Sequence, residues 1–128
     1  MKGYILNIEK ETLANTDYRR VLYTAKNSQL VLMSIEPGDE IGMEVHHLDQ
    51  FIRIEAGTGK AILDGVEHDL GADFAVVVPA GTNHNIINTG TNVMKLYTVY
   101  SPAAHKDGIV EKTKADEIEE EFDGKTTE

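Results

Sequence analysis

Runs of strand-forming residues, broken by turn-forming ones at intervals of roughly eight to twelve residues, dominate the chain from Arg19 to Tyr100. Arg19 to Thr24 comes first, followed by Ser28 to Ile35, which stops at the turn signal Pro37-Gly38. From Gln50 the alternation is regular. Gln50, Ile52 and Ile54 share one face, while Phe51, Arg53 and Glu55 take the other. Glu55 to Lys60 holds two glycines and reads as a hairpin turn. Asp64-Gly65, between Ala61-Ile62-Leu63 and Val66-Glu67, is the strongest two-residue hairpin signal in the chain. Phe74 to Val78, Asn83 to Ile87 and Val93 to Tyr100 supply three further strands, the last two separated by Asn88 to Asn92. Residues 1–17 are polar and mixed apart from Tyr4-Ile5-Leu6. Many short strands with such punctuation predict an all-β sandwich or barrel.

The chemistry-bearing residues fall on this pattern in one place. Glu44 and His46 are two apart and point the same way along an extended chain. After a short break at His47-Leu48-Asp49, Gln50 begins the next strand. His84 lies on a second strand-like run, entered through the turn Pro79 to Asn83. Two such strands facing each other bring two imidazoles, a carboxylate and a carboxamide together, a donor set suited to a metal ion. The competing reading is a hydrogen-bonded polar cluster without an ion.

Other residues have more ordinary expectations. His47 should face away from His46, at the surface or on the rim of the site, and His68 should be a solvated loop residue. His105 follows the last strand and is either an ordinary surface residue or a lid over the site. Arg53 belongs on the outer face, in an ion pair or a subunit contact. If Lys95 points outward, Leu96, Thr98 and Tyr100 point inward. Tyr100 is then either core or a phenol near the site that donates a hydrogen bond or a proton.

Composition narrows the function classes. With 128 residues the chain has the size of one domain. It has no cysteine, which excludes disulfides, thiolate metal sites and cysteine catalysis. The net charge of −10 argues against nucleic acid as a partner. The longest apolar run, Phe74 to Val78, is far short of a membrane span, and charged residues interrupt the N-terminal segment before a signal-peptide core develops. The expectation is a cytoplasmic protein that does not engage membranes. A domain over 1–110 is followed by an acidic tail, 111–128, with eight acidic residues and three lysines. Thr113 to Asp116 resembles a helix N-terminus, with Ile118 and Phe122 four apart. The tail is therefore either a short amphipathic helix laid on the barrel or a solvated segment.

Residues 38–57 and 73–88 resemble the two signature motifs of the cupin superfamily. Gly38, Glu44, His46, Gln50 and Gly57 hold the positions of the first motif at its spacing, with Glu44 in place of the first histidine and Gln50 in place of the glutamate. Pro79, Gly81, His84 and Asn88 match the second, whose opening glycine is replaced by Asp73. The resemblance implies a double-stranded β-helix, or jelly-roll, barrel. It also implies one divalent metal ion (zinc, manganese, iron or nickel) held by Glu44, His46, Gln50 and His84, and a small polar or anionic ligand. Two reaction classes come with it. One is isomerisation of a sugar or sugar phosphate, with Glu44 or Tyr100 moving a proton; the other is iron-dependent oxygenation. A non-catalytic binding module is the third reading. The family habit, with the apolar run Tyr4-Ile5-Leu6 or the strand Arg19 to Thr24 as cover, implies a homodimer.

Overall fold

The computed structural model describes residues 1–118 and 120–128. Its elements in chain order are α1 (Ile8–Ala14), β1 (Arg19–Thr24), β2 (Gln29–Ile35), β3 (Asp49–Ala56), β4 (Gly59–Leu63), β5 (Val66–Leu70), β6 (Ala75–Val78), β7 (His84–Ile87), β8 (Met94–Ser101), β9 (Val110–Glu111) and a one-turn 3-10 helix, Lys114–Asp116. Two sheets form: a six-stranded one in the order β6-β3-β8-β2-β1-β9 and a three-stranded one in the order β5-β4-β7. Isolated bridges at Glu40–Ile87 and Glu44–His84 lay residues 40–44 along the free side of β7, lengthening the smaller sheet.

The alternation read from the sequence is the burial pattern observed. Gln50, Ile52 and Ile54 are buried between the sheets, and Phe51 is exposed on the outside. In β8 the inward set is Met94, Leu96, Thr98 and Tyr100. Val31, Met33, Ile35, Ile52, Ile54, Ala61, Ile86 and Leu96 fill the space between the two layers. One face of each strand thus makes the apolar core, which is the main stabilising term of a two-sheet fold.

The Asp64-Gly65 hairpin is as expected. Leu63 and Val66 are paired across it, and φ is +46° and +82° at its two residues, the left-handed geometry of a type I′ turn. The segment Glu55 to Lys60 corrects its expectation. β3 and β4 lie in different sheets, so this is a crossover rather than a hairpin turn. Its glycines are required by neighbours far along the chain. A Cβ at Gly57 would stand 2.9 Å from Met94 Cα, and one at Gly59 would stand 2.2 Å from the Ile87 carbonyl oxygen.

Two features at the ends depart from the sequence reading. Residues 8–14, read only as polar chain, form α1, whose first turn is capped when Asn7 Oδ1 accepts from the Lys10 N–H at 3.1 Å. At the helix end the Lys95 ammonium reaches the Asn15 carbonyl, a favoured charge there. Among its described residues the tail forms no amphipathic helix; most of them are exposed, but backbone bonds tie the segment to the body. Thr113 and Asp116 make the expected capping box, but it opens only the single 3-10 turn. Beyond it, the Phe122 N–H donates to the Ala104 carbonyl and the Thr127 N–H to the Thr24 carbonyl, with His105 bridged to Glu121; residue 119 lies outside the described residues. No helix among the described residues is long and apolar enough to cross a membrane.

Candidate metal centre

The Glu44 and His84 backbones hold each other in register, with N–H to carbonyl distances of 2.8 and 2.9 Å. The Gly81 N–H donates to the His46 carbonyl at 2.8 Å, which ties the next turn of chain to the loop between β6 and β7. These bonds place one ligand atom from each of Glu44, His46 and His84 within 4.8 Å of one another. The His46 and His84 ring centroids are 5.2 Å apart. His84 is buried at 3% exposure, and its Nδ1 donates to the Thr82 carbonyl at 2.9 Å. That bond sets the tautomer, because a carbonyl can only accept, and leaves the Nε2 lone pair for a ligand.

Glu44 meets His46 Nε2 at 2.8 Å. Burial pushes the Glu44 carboxyl up, but the His46 hydrogen bond and the positive charges around it, Arg19 included, hold it below its ordinary value. Glu44 is therefore a carboxylate at neutral pH.

Gln50, on the inward face of β3, lies opposite Tyr100 of β8 and is 4% exposed. Its Nε2 donates to Thr98 Oγ1 at 3.0 Å, while its Oε1 is buried without a hydrogen-bond donor. An orphaned buried acceptor costs about 1–3 kcal/mol. A cation relieves it. Two imidazoles, a carboxylate and an amide oxygen are competent ligands for a divalent transition metal, so the residues present fit such an ion.

Tyr100 is buried, with its ring edge-on to His46 at 6.0 Å and to His105 at 5.1 Å. Its hydroxyl stands 3.3 Å from His105 Nε2. Burial raises the phenol well above its ordinary value, so it stays protonated and donates to His105. His105 is in turn held down at about 3, first by its own burial and then by the Arg19 charge. His105 lines the cavity over the cluster, and Tyr100 stands behind it. Of the other histidines, His47 is exposed on the cavity rim and His68 is exposed on β5. Arg53 pairs with Asp73 at 3.0 Å and Glu55 at 3.4 Å, away from the site.

The cavity, about 540 Å³, is lined by Glu44 and His46 of the cluster, by His105 and Arg19, and by the tail residues Glu117, Ile118, Glu120, Glu121 and Phe122. Arg19 and Glu117 carry no motif and were missed by the sequence reading. The usable signal was an arginine at the same strand parity as Val21, since an inward guanidinium requires a carboxylate. That carboxylate is Glu111, 2.6 Å away and opposite Arg19 in the β1–β9 ladder.

A two-sheet β fold with a histidine–carboxylate cluster at one end defines a class, and comparison with known proteins assigns it. Residues 31–100 match the model of the Cupin domain family, and the chain belongs to that family. It is 42% identical over 124 residues to the uncharacterised Bacillus subtilis protein YrkC, which covers 91% of this chain and 67% of the relative. The crystal structure of BH2720 from Bacillus halodurans superposes with a TM-score of 0.88 at 42% identity, over 90% of this chain and 92% of that one. A Klebsiella pneumoniae protein described as having a double-stranded β-helix domain superposes at 0.67 with 21% identity, covering 79% and 91%. The fold is thus the double-stranded β-helix, its barrel made of two facing sheets.

Proposed function

We propose that this chain is a metal-dependent cytoplasmic cupin that binds a small polar or anionic molecule and transfers a proton on it, as isomerase-type enzymes do. One observation carries the reading. Glu44, His46 and His84 converge within 4.8 Å, and Gln50, opposite Tyr100 in the β3–β8 ladder, has a buried, donorless Oε1. These four residues hold the ion. A divalent ion held there would supply Lewis-acid polarisation of a carbonyl next to a hydroxyl on the ligand. Thr82 fixes the His84 ring and Thr98 fixes the Gln50 amide. His105, kept neutral, and Tyr100, kept protonated behind it, hold a proton at the cavity wall. Glu44 supplies the negative charge. The domain, 1–110, provides the site, and the tail, 111–128, provides its roof.

The charge of the cavity narrows the ligand. Among the described residues, Arg19 is the one arginine or lysine lining it, against Glu44, Glu117, Glu120 and Glu121. Away from the ion, Arg19 alone is left to meet an anionic group on the ligand, which favours one with a single negative charge or none. A homodimer is part of the proposal: Ile5 is 98% exposed and Tyr4 stacks on Tyr23, so this N-terminal run is apolar surface for a second copy to cover. Light scattering giving a monomer at micromolar concentration would contradict the dimer.

Elemental analysis of protein purified without a histidine tag should find about one divalent ion per chain, and His84→Ala should lose most of it. Absence of metal, with no thermal stabilisation by added zinc, manganese, nickel or iron, would end the metal reading. Acidification towards about pH 5 should release the ion while circular dichroism stays unchanged, because protonated imidazole does not coordinate. Solvent-deuterium exchange into hydroxy-carbonyl compounds, followed by NMR on metal-loaded protein, tests the proton transfer. No exchange in any of them would leave a binding module without catalysis.

A further inference from the structure

Arg19 Nη1 carries two carboxylates, Glu111 at 2.6 Å and Glu117 at 3.0 Å, and the two are unlike. Glu111 is as buried as Arg19, 3% exposed in each case, and it neutralises the guanidinium. Its second oxygen also accepts from the Ile118 N–H at 2.7 Å. Glu117 is 31% exposed, lies on the cavity wall and is additional to the charge that Arg19 requires. Its carboxylate also meets the Tyr18 hydroxyl, at a long 3.4 Å. Arg19 Nε, meanwhile, is buried and has no acceptor. A guanidinium binds a carboxylate best through two parallel N–H groups. Glu117 engages one nitrogen and leaves the fork unfilled.

The segment that carries Glu117 is lightly fastened. Backbone bonds run from the Phe122 N–H to the Ala104 carbonyl at 3.2 Å and from the Lys106 N–H to the Glu120 carbonyl at 3.3 Å. The Lys106–Glu120 ion pair, at 3.8 Å, is exposed and contributes little. Beneath this strap the cavity has apolar wall from Val45, Leu48, Ala103, Ile118 and Phe122.

We propose that Arg19 is the anion anchor of this cavity and takes the carboxylate of a small carboxylic acid with an apolar body, in exchange for Glu117 of the strap. The proposal deepens the reading of the cavity as the ligand site of a metal-dependent cupin and rests on it. One carboxylate replaces another on Arg19, so the charge paired with the guanidinium does not change. A dianion such as phosphate would add to it. Arg19 is thereby a binding and specificity residue, and Glu117 is its built-in occupant.

The probes are benzoate, its uncharged counterpart benzamide, and inorganic phosphate, titrated by calorimetry into metal-loaded and chelator-treated protein. Glu117→Gln should bind benzoate about tenfold more tightly than the parent chain in both preparations, with phosphate and benzamide far weaker. In the parent chain, benzoate should speed hydrogen exchange at the Ile118 amide, since that amide is bonded to Glu111 in the closed strap. Arg19→Lys, if it folds, should lose most of the benzoate affinity. Equal benzoate affinity in the parent and Glu117→Gln, equal binding of benzamide, or no benzoate binding by Glu117→Gln up to about 10 mM would each overturn the proposal. So would benzoate binding that vanishes on chelation, because the acid would then sit on the ion. A protein that carries no metal fails the proposed function, yet the Glu117 comparison stays readable in the chelated preparation.

Discussion

Glu44 and His46 of the metal-ligand cluster and Arg19 with Glu117 line one cavity, but the cluster and the arginine site are left in opposite states by the protein. The cluster has acceptors in surplus, imidazole lone pairs and a carboxylate, and Gln50 on β3 adds a buried oxygen without a donor. The arginine site has the reverse arrangement, a cation already met twice and still holding an unused donor. One end of the cavity is built to take a cation and the other to exchange an anion. The two ends also differ in how they are held. Glu44 and His84 face each other across one backbone bridge, whereas Arg19 meets its carboxylates over sequence separations of 92 and 98 residues.

The largest expected effect is on the arginine side. Glu111→Ala strands a buried guanidinium and should cost about 3–5 kcal/mol in chemical denaturation, whereas Glu117→Ala should cost about 1 kcal/mol or less. Equal costs would erase the distinction between the structural and the exchangeable carboxylate. On the cluster side, Gln50→Glu raises the ligand charge and should tighten the ion, measured by chelator competition, by about tenfold, while Glu44→Gln should weaken it by at least as much. Unchanged affinity in Glu44→Gln would move Glu44 from ligand to proton carrier. In metal-free protein the same Gln50→Glu change should cost about 1 kcal/mol, since two carboxylates then share the site.

A pH dependence tests the cavity wall between the two ends. His105 is held near 3 in the fold, against 6.5 for the unperturbed imidazole. Below 6.5 the unfolded chain takes a proton that the folded one refuses. The stability of the parent chain is therefore full above 6.5 and falls as the pH drops towards 3. His105→Gln should remove that part of the slope in chelator-treated protein, read by urea titrations between about pH 7 and pH 4.5. A parent chain with the same slope as the variant would mean that His105 titrates normally.

Residues that act through their near neighbours were legible in the sequence. The inward set Gln50, Ile52 and Ile54 follows from strand geometry alone, and the Asp64-Gly65 turn from the φ values its two residues tolerate. The spacing of Glu44, His46, Gln50 and His84 carried the candidate cluster, because a motif keeps the positions that a shared fold brings together. The helix at 8–14 escaped because its seven residues have too little apolar periodicity to stand out, and a side-chain cap with outer-face packing establishes it.

What remained hidden depended on partners far along the chain. Gly57 and Gly59 read as a hairpin until β7 and β8 occupy the space a side chain would need. Ile118 and Phe122 sit at helical spacing, but both line the cavity from outside any helix. Tyr100 points inward by parity, yet only the folded chain puts His105 against its hydroxyl. The sequence by itself determined the strand pattern, the Asp64-Gly65 turn and the metal-ligand candidates, because each is set by backbone period, local conformation or motif spacing. Tertiary structure alone decided that Arg19 shares a cavity with them and that the tail closes it, since buried charges are paired by three-dimensional proximity and no local period encodes that.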